Sequence, residues 1–154
     1  MGIADSPAVL QRHRLTVDEY HRMGQAGVFA PGARGEPREG GVIATAPPGT
    51  RRARAVWRRT ALRSVAAQGR AIVAVQDPLR LSDASEPEPD LMLLRPRADF
   101  YAQAHPGPAD VLLLIEVSDS TVAYDRGVKL DLYARHGITE VWIVDLDNNV
   151  VRFF

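Results

Sequence analysis

Hydrophobic and polar positions follow two periods along this chain. From Val111 to Ile115 the apolar residues run unbroken, and the run ends on Glu116 and Val117. Such a run predicts a strand over Asp110–Val117 that is buried on both faces and central in a sheet. Ala71–Gln76, Asp90–Leu94 and Glu140–Leu146 predict further strands. Val42–Ile43–Ala44 and the alternating Leu79–Arg80–Leu81 are shorter strand candidates. Val150–Phe154 follows the turn signal Asp147–Asn148–Asn149 and is expected to return as a hairpin partner.

Three segments carry helical signals. Leu15–Tyr20 opens a helix with Thr16 as cap, Glu19 at the capping-box position and a Leu15–Tyr20 staple. Gly24 and Gly27 should close it near Met23. Arg51–Gln68 has an apolar face of Ala55, Val56, Leu62, Val65 and Ala66, with Gly69 as its stop. Tyr124–His136 is a third helix, ended by Gly137. Pro47–Gly49, Asp83–Pro89, Arg95–Ala109 and Ser118–Ala123 read as loops or connections, and Ala30–Gly41 is rich in Gly, Pro and charge. This order predicts an α/β fold, a mixed sheet with helices packed on it. We expect residues 1–13 to be a flexible leader and 14–154 a single domain, cut short inside its last strand pattern.

Composition narrows the function classes. The chain has 154 residues, 45% of them apolar and 25% charged, as in an ordinary soluble domain. It has no cysteine, which excludes disulfides, thiolate zinc sites and a cysteine nucleophile and fits a reducing, cytoplasmic setting. No apolar run is long enough to span a bilayer, so no membrane partner is expected. The net charge of zero gives no global attraction to nucleic acid. Arg51–Arg63 nevertheless holds six arginines and no acid, and Asp83–Asp90 holds four acids and no base. On charge alone these read as two solvated segments. The histidines at 13, 21, 105 and 136 lack helical zinc spacing and receive no metal role. Ser118 and Ser120 lack a Gly-x-Ser-x-Gly setting, and no phosphate-cradling glycine motif occurs.

The candidate chemistry lies between Pro87 and Lys129. Asp90 begins one strand, Glu116 ends the next, and Lys129 stands on the following helix, one turn before Tyr133. Two carboxylates and a lysine in that order are the parts of a metal-dependent phosphodiesterase. Taken alone, Asp90 fits a strand-start acid facing water better than a ligand. Glu116 divides evenly between a strand end emerging into solvent and a buried acid that needs a cation.

These blocks carry a family resemblance. Pro89-Asp90, Ile115–Thr121, Asp125–Lys129 and Tyr133–Gly137 occur in order within a stretch from Arg14–Tyr20 to Gly137–Asp145. The chain thereby resembles the Uma-type family of restriction endonucleases and, more widely, the PD-(D/E)xK nucleases. The resemblance implies a restriction-endonuclease-like fold and Mg²⁺-dependent hydrolysis of DNA, with Mn²⁺ a substitute. It implies Asp90 and Glu116 as metal-binding acids and Lys129 as the catalytic lysine, moved from the position that Ser118 occupies. It makes Glu36 a further acid of the site. Arg52, Arg58, Arg59 and Arg63 are candidate phosphate contacts. A homodimer is expected of a double-strand cutter, with the Val150–Phe154 edge as candidate interface. The chain departs from the pattern after Glu36. Pro37 and Arg38 replace apolar residues, Gly41 stands where an acid is common, and Arg52 where a histidine is. That departure predicts a shortened first strand. It supports an alternative, a weakened or inactive nuclease-fold module that binds DNA or a protein partner.

Overall fold

The computed structural model describes residues 11–45, 68–118 and 123–154. The expected helix over Arg51–Gln68, with its arginines, lies outside the described residues apart from Gln68, which is in a turn. The described elements are helix α1 (Val17–Gln25), the hairpin β1 (Gly35–Arg38) and β2 (Gly41–Ala44), and strands β3 (Ile72–Ala74), β4 (Leu91–Leu94) and β5 (Val111–Ser118). Helix α2 (Ala123–Arg135), β6 (Val141–Asp145) and β7 (Val150–Phe153) complete them.

A five-stranded sheet runs in the order β3-β4-β5-β6-β7. All its neighbours are antiparallel except β5 and β6, which are parallel and joined through α2. The sheet is therefore mixed, as the alternation of strand and helix patterns predicts. β5 is central and buried along both faces. One face packs Leu114 with Met92, Leu94, Leu132, Tyr133 and Val141, beneath α2. The other packs Leu113, Ile115 and Val117 with Leu91 and Val144. The unbroken apolar run follows from this two-sided burial. β7 is an edge strand, with Val150 and Phe153 exposed and the Phe153 ring edge-on to Trp142.

Leu79–Arg80–Leu81 is not a strand, although Leu79 and Leu81 enter the core as the alternation implies. Their amides bond to the Pro87 and Ser85 carbonyls of the neighbouring loop rather than to a sheet ladder. The Gly-, Pro- and charge-rich stretch Ala30–Gly41 contains β1. Pro37 does not prevent that strand. Glu39 and Gly40 form a two-residue turn with φ of 49° and 80°, the positive pair that a type I′ hairpin needs. In such a hairpin Pro37, opposite Val42, stands at a non-hydrogen-bonded pair, where no amide is required of it. Its carbonyl points outward and accepts the Glu86 amide at 2.8 Å. A side chain at Gly40 would also strike Arg14, since an added Cβ would sit 2.7 Å from that residue's Cβ.

The hairpin is fastened to the segment leading into β4. Gly40 N–H donates to the Ala84 carbonyl and Glu39 N–H to Ser85 Oγ. Helix α1 ties both together. Thr16 and Glu19 form the expected capping box, Val17 N–H donates to the Asp83 carbonyl, and Tyr20 OH donates to the Gly35 carbonyl at 2.7 Å. His21 Nε2 meets Glu86 Oε1 at 2.6 Å. These links hold β1 over the sheet and fix where Glu36 projects.

Candidate active site

Four segments deliver acids or cations to one buried place. Glu36 comes from β1, Asp90 from the residue before β4, Glu116 from β5 and Lys129 from α2. The antiparallel register that pairs Leu91 with Ile115 carries Asp90 to a position beside Glu116. Asp90 is 1% exposed, so it does not face water as its strand-start position suggests. Asp90 Oδ2 accepts the Val117 amide at 2.8 Å, where β5 runs past the paired end of β4. Glu116 is 7% exposed and does not emerge into solvent.

A buried glutamate needs compensating donors. Glu116 Oε1 receives two: Tyr133 OH at 2.7 Å and Lys129 Nζ at 3.3 Å. The two donors stand one turn apart on α2, and the parallel β5–α2–β6 connection lays that face on β5. Lys129 Nζ also reaches Glu36 Oε1 at 3.4 Å. The other oxygen of Glu36 takes Arg38 Nη2 at 3.0 Å. The result is a chain of charges, Arg38–Glu36–Lys129–Glu116, finished by the Tyr133 hydroxyl.

Burial pushes the Lys129 ammonium toward neutrality, but Glu116, then Glu36 and Asp90, outweigh it. The net effect raises its pKa and keeps it charged. Burial, and after it the Glu116 carboxylate, push the Tyr133 phenol well above its ordinary range, so it stays a neutral donor.

All four predicted site residues meet here. Tyr133 and Arg38 join them unpredicted. The Lys129–Tyr133 spacing was a usable signal for the first. Arg38 shares a strand face with Glu36, a signal hidden by the Gly-, Pro- and charge-rich composition of that segment. Arg52, Arg58, Arg59 and Arg63 lie outside the described residues.

Asp90 and Glu116 offer hard carboxylate oxygens from adjacent strands, the donor type that Mg²⁺ and Mn²⁺ take. Among the described residues no three His, Asp or Glu side chains are grouped to hold an ion by themselves. The pair fits the Mg²⁺ habit of one or two carboxylates, with water and substrate phosphate supplying the rest. No helix among the described residues is long and apolar enough to cross a membrane.

No curated protein sequence matches the chain. Among solved structures it is similar to a "putative nuclease belonging to DUF820" from Anabaena variabilis. The TM-score is 0.67 at 16% identity, over 91% of this chain and 79% of that one, which shows a shared fold. The family model of Uma2, described as "Putative restriction endonuclease", matches residues 17–154, from the first residue of α1 through the sheet and its acidic centre. The chain belongs to the Uma2 family of restriction-endonuclease-type proteins.

Proposed function

We propose that this protein is a divalent-metal-dependent nuclease that hydrolyses phosphodiester bonds of DNA at the Asp90–Glu116–Lys129 centre. The observation that carries the reading is Lys129 Nζ within 3.4 Å of both Glu36 and Glu116, beside the buried Asp90. Asp90 and Glu116 would hold the cation, Mg²⁺ or Mn²⁺. When bound it would supply Lewis-acid polarisation and a more acidic water.

The protein's own groups do the rest. Asp90 is held in place by the Val117 amide. Tyr133 fixes one oxygen of Glu116 and leaves the other available. The charged Lys129 is a donor for the attacking water and for the negative charge that grows on the phosphoryl oxygens. Glu36 keeps that ammonium aimed between β1 and β5.

The test is cleavage of supercoiled plasmid and of single-stranded RNA with Mg²⁺, Mn²⁺ or Ca²⁺, and with chelator. Cleavage of DNA with Mg²⁺ or Mn²⁺, abolished by chelator and by Glu116→Gln, supports the reading. Cleavage that survives both contradicts it.

One observation favours the second reading, a non-catalytic module that binds DNA or a protein partner. Arg38 and Lys129 already pair the acids without any metal. That reading predicts metal-independent DNA binding and no cleavage under any of these ions.

A further inference from the structure

Arg38 is the one member of the cluster to which the proposed chemistry gives no task. Its side chain is buried, and its Nη2 lies 3.0 Å from Glu36 Oε2. A buried guanidinium on a four-residue strand is costly to place there, and it does not face solvent where it could meet substrate freely. Its charge is nevertheless felt inside the site. Glu36, which it pairs, bonds Lys129 through its other oxygen, and Lys129 in turn reaches Glu116.

Formal charges show what this does. Among the described residues, the buried acids Glu36, Asp90 and Glu116 and the cations Arg38 and Lys129 form a set with one net negative charge, which would be two without Arg38. We propose that Arg38 is a built-in counter-charge that sets the divalent-cation affinity of the Asp90–Glu116 centre. It holds that affinity low until the negative charge of a substrate phosphate is added. Arg38 is thus a positioning residue acting through Glu36 and through the field, not a ligand. The inference rests on the proposed metal centre.

A unit charge on the order of 10 Å from a divalent ion changes its dissociation constant by roughly a few fold at the dielectric of water and by roughly a few hundredfold at an effective dielectric of about 20, so a change of at least about tenfold is expected. Metal and substrate binding then reinforce each other, because each relieves the charge imbalance that the other meets.

The experiment is Mn²⁺ binding without substrate, read from the free-ion electron paramagnetic resonance signal, on folded protein at fixed ionic strength. Asp90→Asn defines the site. Arg38→Met should bind Mn²⁺ at least about tenfold more tightly than wild type, and Glu36→Gln at least about tenfold more weakly. The double variant Glu36→Gln/Arg38→Met restores the single negative charge and should return to the wild-type value, which a merely structural Arg38 would not produce. If Arg38→Met fails to fold, the double variant against Glu36→Gln alone measures the same charge and should differ by the same factor. Equal affinities of the Arg38 variants and their parents, with binding still lost in Asp90→Asn, overturn the counter-charge and leave the metal centre standing. Mn²⁺ binding that is absent throughout, or unaffected by Asp90→Asn, overturns both.

Discussion

Lys129 and Glu116 meet at 3.3 Å across the connection from β5 to α2, thirteen residues apart in sequence and both buried. The same Glu116 oxygen takes the Tyr133 hydroxyl. One helical face therefore both neutralises and orients the acid at the end of the central strand. The following predictions start from that pairing.

Lys129→Met should fold less stably and lose activity. Removing the ammonium leaves Glu36 and Glu116 facing each other without their shared cation. Breaking a buried pair from one side costs about 3 kcal/mol, and loss of a charge-stabilising donor reduces turnover by roughly 10²–10³-fold. Urea melts and single-turnover cleavage measure the two effects separately. Lys129→Arg should recover more stability than activity, since a planar fork does not replace a compact ammonium.

Tyr133→Phe removes a fully buried donor and leaves the carboxylate with one partner fewer. The expected cost is about 1–2 kcal/mol in a denaturant melt. The activity loss should be smaller than for Lys129→Met, because Tyr133 acts through Glu116.

The alkaline limb of stability has a definite sign. The Lys129 pKa is raised above its ordinary 10.5, so the folded chain keeps a proton that the unfolded chain releases. The Tyr133 phenol, pushed well above 10, behaves the same way. Stability from both groups is fully present below about pH 10 and declines as pH rises past it. Melts at stepped pH should show the decline, and Tyr133→Phe should make it shallower. A stability that is flat from pH 9 to 11.5 contradicts the arrangement.

Thr16→Ala serves as a control far from the chemistry. It breaks the capping box, in which Thr16 N–H donates to Glu19 Oε2 at 2.8 Å and Glu19 N–H to Thr16 Oγ1 at 3.2 Å. It should cost about 1 kcal/mol with no change in metal dependence, as read by thermal melting and cleavage.

Much of this arrangement was legible in the chain because it is local. The Thr16–Glu19 box, the Gly137 stop and the two-sided apolar run of β5 announce their elements directly. The order Asp90, Glu116, Lys129 and the spacing of Lys129 to Tyr133 are equally local. What stayed hidden depends on long-range contacts. Asp90 looked like a surface acid because its partner, the Val117 amide, is 27 residues away. β1 carries no strand pattern of its own, because Gly, Pro and charge dominate it. Its strand form rests on the Glu39–Gly40 turn and on bonds to Ala84, Ser85 and Glu86. Arg38 could not be placed in the site until that strand existed. Leu79–Leu81 shows the converse: its alternation correctly marks burial, but among the described residues no strand pairs with it.

The most direct test is single-turnover cleavage of a DNA duplex in Mg²⁺ by wild type and Asp90→Asn, each checked for folding by circular dichroism. Asparagine keeps an oxygen for the Val117 amide, so the fold should hold to within about 1 kcal/mol. The account predicts metal-dependent cleavage by the wild type and at least a hundredfold loss in Asp90→Asn. Undiminished cleavage by a folded Asp90→Asn, or none by the wild type with Mg²⁺ or Mn²⁺, would contradict it.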